Sequence, residues 1–118
     1  MCKLPKTREM RVTEPMQRLK AEFFKTLAHP ARIRVLEILA KGECSVTELT
    51  ERVGIEGSHM SQQLGLLRRA ALVQPRKDGS TVYYSLNDTH IADILRLSRQ
   101  VLVTYMRDAA EQLSGWDD

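Results

Sequence analysis

Apolar residues recur every fourth position from Leu19 through Phe23 to Leu27, and this spacing predicts a first helix. Thr13 is a suitable cap for that helix, because Pro15 would then lie in its first turn, where the missing N–H group has no partner to lose. The pattern therefore predicts a helix that begins near Thr13 and presents one apolar stripe.

A proline separates this helix from a second one. His29 precedes Pro30 and should avoid the helical region, while Pro30 itself suits the first turn of a new helix. Gly42 is placed to end the second helix. Ser45 and Glu48 then form a capping box, which predicts the start of a short third helix.

A short turn, residues 54–57, links the third helix to a fourth. Ser58 is a suitable cap, and Met60, Leu64 and Leu67 form an apolar stripe along the helix that follows. Two helices joined by a short turn of this kind predict a helix-turn-helix unit.

Two short runs, residues 72–75 and 82–85, predict a β-hairpin. Asp78 and Gly79 lie between them and favour a tight turn, in which both central residues need positive φ. A long helix with an apolar stripe then begins at about Asp88. The chain is therefore predicted to be mainly α with a small β-hairpin, an α+β protein in the winged helix-turn-helix order ααααββα.

The composition is that of one ordinary globular domain. The chain has 118 residues, of which 42% are hydrophobic and 28% charged, and its formal charge of +3 permits a nucleic-acid partner without requiring one. Residues 1–14 are predicted to form a flexible basic arm, and residues 15–118 the winged helix-turn-helix domain.

The sequence does not predict secretion or insertion into a membrane. Two cysteines are too few to build a disulfide framework, the basic N-terminus lacks the apolar segment of a signal peptide, and no apolar run is long enough to span a membrane. We therefore expect a cytoplasmic protein.

Four segments resemble the ArsR/SmtB family of small bacterial repressors. They are LAHPARIRVL (27–36), SVTEL (45–49), MSQQLGLLR (60–68) and RKDGSTVYYSL (76–86), and they occur in the order and spacing of that family. The resemblance implies a homodimer built on the first and last helices, which binds imperfect inverted repeats near promoters.

Two regions supply the candidate contacts to DNA. The N-terminal polar side of the fourth helix carries glutamines, which can pair bidentately with adenine in the major groove. The hairpin carries basic residues, which suit the phosphate backbone or the minor groove. The candidate DNA-binding residues are Ser58, His59, Ser61, Gln62, Gln63, Arg68, Arg76, Lys77 and Ser80.

The first and last helices carry more large apolar residues than the small central motif can cover alone. A chain of this size gains much from burying such residues in a dimer. The candidate interface residues are Leu19, Phe23, Phe24, Leu95, Leu102, Tyr105 and Met106.

One metal site of the resembled family uses two cysteines at the start of the third helix. Alignment on Glu48 places Ser45 and Thr47 at those positions. A hydroxyl is a poor substitute for the thiolate that soft metals select. Cys44 lies one residue before the first position, so the usual thiolate pair is absent.

A second metal site of the family spans the last helices of the dimer. Asp88 and His90 match its first half, whereas Val101 and Thr104 stand where the remaining ligands belong. Two ligands in each half do not complete the tetrahedral set that zinc favours. We therefore interpret Asp88 as the cap of the last helix and expect no metal ligand and no cofactor.

The favoured function is a sequence-specific DNA-binding regulator, a repressor that binds promoter DNA at an inverted-repeat operator as a homodimer. One alternative is a repressor released by a metal, or by oxidation, at Cys44 and Cys2 or at Asp88 and His90. Another is a winged-helix module that binds a protein instead of DNA. No glycine-rich phosphate loop or catalytic constellation is present, so we do not expect an enzyme.

Overall fold

The computed structural model describes the backbone of residues 6–116 and the side chains of residues 15–113. Within that span the chain forms five helices and one antiparallel sheet of three strands. The helices are α1 (Lys6–Leu27), α2 (Pro30–Leu39), α3 (Val46–Val53), α4 (Gly57–Arg69) and α5 (His90–Trp116), and the strands are β1 (Cys44–Ser45), β2 (Val73–Asp78) and β3 (Thr81–Leu86). The predicted order of helices and hairpin is confirmed, with one strand in addition.

The first helix begins earlier than predicted. It starts at Lys6, so the predicted start near Thr13 is wrong, and Pro15 lies inside the helix. The lysine, arginine, glutamate and methionine residues of this segment are good helix formers, which offsets the hydrogen bond that Pro15 removes. Residues 6–14 of the predicted arm thus belong to α1, and residues 1–5 lie outside the described part of the chain.

The additional strand β1 joins the loop after α2 to the hairpin. Cys44 pairs with Tyr84 and Ser45 with Tyr83, which places β3 at the centre of the sheet. A strand of two residues carries no periodic pattern, so it is visible only through its pairing. The pairing holds the N-terminus of α3 beside the hairpin.

The hairpin turn lies one residue later than predicted. Asp78 pairs with Thr81, so the two central residues are Gly79 and Ser80. Gly79 has a φ of 65°. A glycine with positive φ at the first central position is the pattern of a type II′ turn, which needs no positive φ at Asp78.

The core lies between α2, α3, α4 and the sheet. Burial of each large side chain there contributes about 1.5–3 kcal/mol. The most deeply buried residues are Val35, Leu36, Leu49, Met60, Leu67 and Val73. Because Met60 and Leu67 belong to α4, the core sets the rotation of that helix and turns its opposite side to solvent.

The molecule is extended by its two longest helices. Its radius of gyration is 19.1 Å, and its dimensions are 57 × 56 × 22 Å. A compact chain of this length would have a radius of gyration of roughly 13–14 Å. Among the described residues, neither α1 nor α5 nor any other helix is long and apolar enough to cross a membrane.

Candidate nucleic-acid interface

Local hydrogen bonds define the first helix of the helix-turn-helix unit. The N–H group of Glu48 donates to the Ser45 hydroxyl over 3.1 Å, as the predicted capping requires. The helix ends at Gly54, which takes the left-handed conformation with a φ of 79°. This combination of a serine N-cap and a glycine C-cap is set by the local sequence.

The second helix of the unit, α4, begins without a side-chain cap. Its N-cap residue is Glu56, which makes no capping hydrogen bond, and Gly57 is the first helical residue. The prediction that Ser58 caps this helix is therefore wrong, because the helix already includes it. Ser58 lies in the first turn with an exposed side chain.

The outer side of α4 presents part of the predicted reader surface. Ser58, Ser61 and Gln62 are exposed, and the last two follow Ser58 by three and four residues, which places them on one side of the helix. His59 is half-buried, and its ring centroid lies 6.1 Å from that of His29. The exposed side of α4 thus offers two hydroxyls and one amide to a ligand.

Gln63 does not belong to that surface. Only 5% of the residue is exposed, and its side-chain oxygen is buried without a hydrogen-bond partner among the described residues. The predicted base contact by Gln63 is therefore not compatible with the structure. Gln63 lies three residues after Met60 and four before Leu67, so the helical period already places it on the buried stripe.

A groove of about 680 Å³ separates α4 from the hairpin. Three predicted DNA-binding residues line it together: Ser61 and Arg68 from α4, and Ser80 from the turn of the hairpin. Thr47 from α3 and Thr81 from β3 also line it and were not predicted. Thr47 follows the capping serine by two residues, and this position at a helix N-terminus is the signal that could have identified it.

Arg76 lies in β2 two residues before Asp78, and its side chain is held by a carboxylate although it is half-exposed. Its Nε and Nη2 atoms donate to the two carboxylate oxygens of Glu43 over 2.9 and 2.8 Å. Its guanidinium also lies 4.7 Å from the ring centroid of Tyr83. The hydrogen bond from Arg76 holds the pKa of the Glu43 carboxyl below its usual range. Arg76 therefore links the hairpin to the loop before β1, and its predicted contact to phosphate stays a prediction.

Lys77 and Arg68 remain the basic groups that face solvent beside the groove. Both side chains are exposed, and both line a depression next to Pro75 and Val82. Arg68 therefore lies between this depression and the main groove. Two separated cations on a protruding surface suit contacts to successive phosphates.

Asp88 caps α5, as predicted. Its carboxylate accepts a hydrogen bond from the His90 N–H group at 2.8 Å and lies 2.7 Å from His90 Nδ1. These bonds to His90 lower the pKa of the Asp88 carboxyl. In the described part of the chain, no three side chains of the metal-binding types cluster together.

Cys44 is the one cysteine that the structure describes, since Cys2 lies outside the described residues. It is buried in the hydrophobic core. Burial raises the pKa of its thiol above the usual range. A raised pKa disfavours the thiolate, which is the reactive form.

The fold and the polar groove define a winged helix-turn-helix protein of the DNA-binding class. A family model described as a helix-turn-helix domain matches residues 27–76. The chain is 53% identical over 97 residues to Rv0081 of Mycobacterium tuberculosis, an uncharacterized HTH-type transcriptional regulator, and the match covers 81% of this chain and 85% of the relative. The crystal structure of Rv0081 superposes with a TM-score of 0.76 at 52% identity, over 81% of this chain and 97% of that one.

Two further relatives support the same family. A transcriptional repressor SmtB homolog of Synechocystis is 42% identical over 76 residues, which cover 64% of this chain and 58% of that protein. The solution NMR structure of the homodimeric winged helix-turn-helix DNA-binding domain of Mb0332 from Mycobacterium bovis, described as a possible ArsR-family regulator, has a TM-score of 0.73. It is 25% identical over 81% of this chain and 89% of that domain. The present chain belongs to the ArsR/SmtB family of winged helix-turn-helix transcriptional regulators, a class of DNA-binding proteins rather than enzymes.

Proposed function

We propose that the protein is a homodimeric repressor that binds an inverted-repeat operator in promoter DNA. The observation that carries the proposal is the distribution of exposed large apolar side chains. Within the described part of the chain they lie on α1 and α5 alone: Met16, Leu19, Phe24, Leu97, Val101, Leu102, Val103, Tyr105, Met106 and Leu113.

These exposed side chains match most of the predicted interface. Of the seven residues predicted from the sequence, five are exposed, namely Leu19, Phe24, Leu102, Tyr105 and Met106. The other two, Phe23 and Leu95, are partly buried against the core of the same chain. These two therefore contribute to a dimer mainly by supporting the helices that carry the contact.

The apolar area is large enough for a stable dimer. Ten large side chains, each at least one-third exposed, present on the order of 1,000 Å² on one chain. A monomer in solution rarely exposes a contiguous apolar patch of more than a few hundred Å². A standard interface buries about 800 Å² per partner, so pairing of α1 and α5 from two chains would cover this surface.

A two-fold dimer would present two copies of α4 to DNA. We assign base contacts to Gln62, with Ser58 and Ser61 as hydroxyl donors, and phosphate contacts to Arg68 and Lys77. Ser80 lies at the turn of the hairpin, where it suits the backbone or the minor groove. Two half-sites about one helical turn apart, roughly 34 Å, would match the symmetry of the protein.

Repression is the direction of regulation that we favour. The relative from Synechocystis is named a transcriptional repressor. A bound dimer of this size would occlude promoter DNA by occupancy alone, which requires no contact to the transcription machinery. This role places the protein in the cytoplasm, where the DNA is.

Two measurements test the proposal. Sedimentation at micromolar concentration should give a dimer, and selection from a random pool of double-stranded DNA should enrich an inverted repeat. The Gln62→Ala variant is the matched control, because it should still dimerise while losing preference at the base that it reads. A monomer that selects no symmetric sequence would contradict the proposal.

A further inference from the structure

A second groove lies on a different side of the molecule, between α2, the C-terminal part of α3 and the first turns of α5. Its volume is about 310 Å³, and it includes no residue of α4 or of the hairpin. Basic side chains dominate its lining. They are Arg34, Lys41, Arg52, Arg96 and Arg99, beside a single acidic residue, Glu37.

The positive charge of this groove is only partly compensated. Arg34 lies 3.9 Å from Glu37, and Arg52 and Arg96 each lie 3.5 Å from a carboxylate of their own helix. Such exposed pairs within a helix contribute little, about 0–1 kcal/mol each. Lys41 and Arg99 take part in no ion pair within residues 15–113. The groove therefore has an excess of donors that can bind an anion.

The groove also has an apolar part. Ile38 of α2 is buried, and Ala92 and Leu95 of α5 are partly buried beside it. The volume lies at the lower end of the range for small-molecule sites, about 300–1,000 Å³. A ligand that fits both features carries an anionic group and a small apolar body.

We propose that this groove binds a small organic anion that carries a phosphate or carboxylate group. The anionic group would lie between Lys41 and Arg99, since charge-assisted hydrogen bonds from such donors are about twice as strong as neutral ones. The apolar body would rest on Ala92 and Leu95. The site connects α2, α3 and α5, so its ligand contacts elements on both sides of the helix-turn-helix unit.

The proposed dimer borders this groove without filling it. A helix turns about 100° per residue, so Leu97 and Val101, the exposed apolar residues at the height of the groove, lie about 160° around α5 from Arg99. Leu102 and Met106 lie within about 60° of Arg99, but about one and two turns further along the helix. A partner chain that packs on these residues therefore approaches the groove from its far side and at its C-terminal end.

Calorimetric titration with phenyl phosphate at constant ionic strength tests the site without DNA. The intact protein should bind it saturably at one site per chain. The variants Lys41→Gln and Arg99→Gln should each weaken binding at least fivefold. The control is Arg107→Gln, which removes an exposed arginine about two turns further along α5 and should leave binding unchanged. Unchanged thermal melting would show that the variants are folded.

Three outcomes would overturn the proposal. The first is the absence of saturable binding, and the second is an equal loss in the Arg107→Gln control, which would indicate nonspecific attraction. The third concerns DNA phosphate as the source of the anion. If Arg99→Gln lowers DNA affinity and its salt dependence but leaves phenyl phosphate binding unchanged, the groove contacts the DNA backbone instead.

Discussion

The adjacent glutamines of α4 should respond to mutation in opposite ways. Gln63 is buried with an unpaired side-chain oxygen, and a buried polar atom without a partner costs about 1–3 kcal/mol. Gln63→Met keeps an unbranched side chain of similar length and similar helix propensity while it removes that oxygen. After a part of the gain is lost to imperfect packing, we expect the variant to be about 1 kcal/mol more stable.

The two glutamine variants can be compared in one pair of assays. For a domain of this size, 1 kcal/mol raises the melting temperature by roughly 3–6 °C, measured at equal protein concentration because the melting of a dimer depends on it. Gln63→Met should keep its affinity for the selected operator. Gln62→Ala should melt like the parent but lose about 1–3 kcal/mol of operator binding, which is about 5- to 150-fold.

Either of two results would refute the assignment of Gln63 to the core and of Gln62 to the DNA-binding surface. A Gln63→Met variant that is destabilised by 1 kcal/mol or more would mean that its amide has a partner in solution. A loss of base preference in that variant, with none in Gln62→Ala, would mean that α4 is rotated relative to the structure described here.

Four further predictions follow from the same contacts. Glu43→Gln should weaken binding to all DNA sequences alike in mobility-shift assays, because Arg76 loses the carboxylate that holds it. In the parent protein Arg76 lowers the pKa of the Glu43 carboxyl, so the stabilisation by this pair is present at neutral pH and should be lost in acid titrations below about pH 4. Tyr105→Glu, which places a charge in the proposed interface, should shift sedimentation toward monomer; a persistent dimer would exclude this face. Lys77→Ala should lower the slope of log affinity against log salt by about one phosphate contact, with base preference unchanged. Stoichiometric zinc, nickel, cobalt or cadmium should change operator affinity less than about threefold. A metal that switches the protein must prefer the DNA-free state over the DNA-bound state by about 5.5 kcal/mol. Release of DNA by metal that His90→Ala abolishes would contradict this prediction.

Local signals were sufficient for the order of the elements and for several of their ends. The apolar spacing of α4 and the capping by Ser45 and Asp88 involve residues within four positions of one another, so their geometry follows from the local chain. The turn at Gly54 is of the same kind. Two of the four segments that carry the family resemblance, 45–49 and 60–68, contain such local signals, and the similarity to known regulators confirmed that resemblance.

Contacts between distant segments were not available from the sequence. Arg76 and Glu43 are 33 positions apart, and the strand β1 exists only because Cys44 and Ser45 pair with β3. Neither segment carries a period or a cap that points to the other. The Arg76–Glu43 pair and the strand β1 were both missed for this reason.

The surfaces were decided by packing. The sequence marked the apolar stripes of the first and last helices, but only the tertiary structure separated Phe23 and Leu95, which pack against the core, from Leu102 and Tyr105, which stay exposed. The tertiary structure also decided the groove between α4 and the hairpin, because its lining comes from α3, α4 and β3, which are separate in the sequence. Helical period determines which residues share a face, whereas the elements packed against that face determine whether it is core, interface or binding surface.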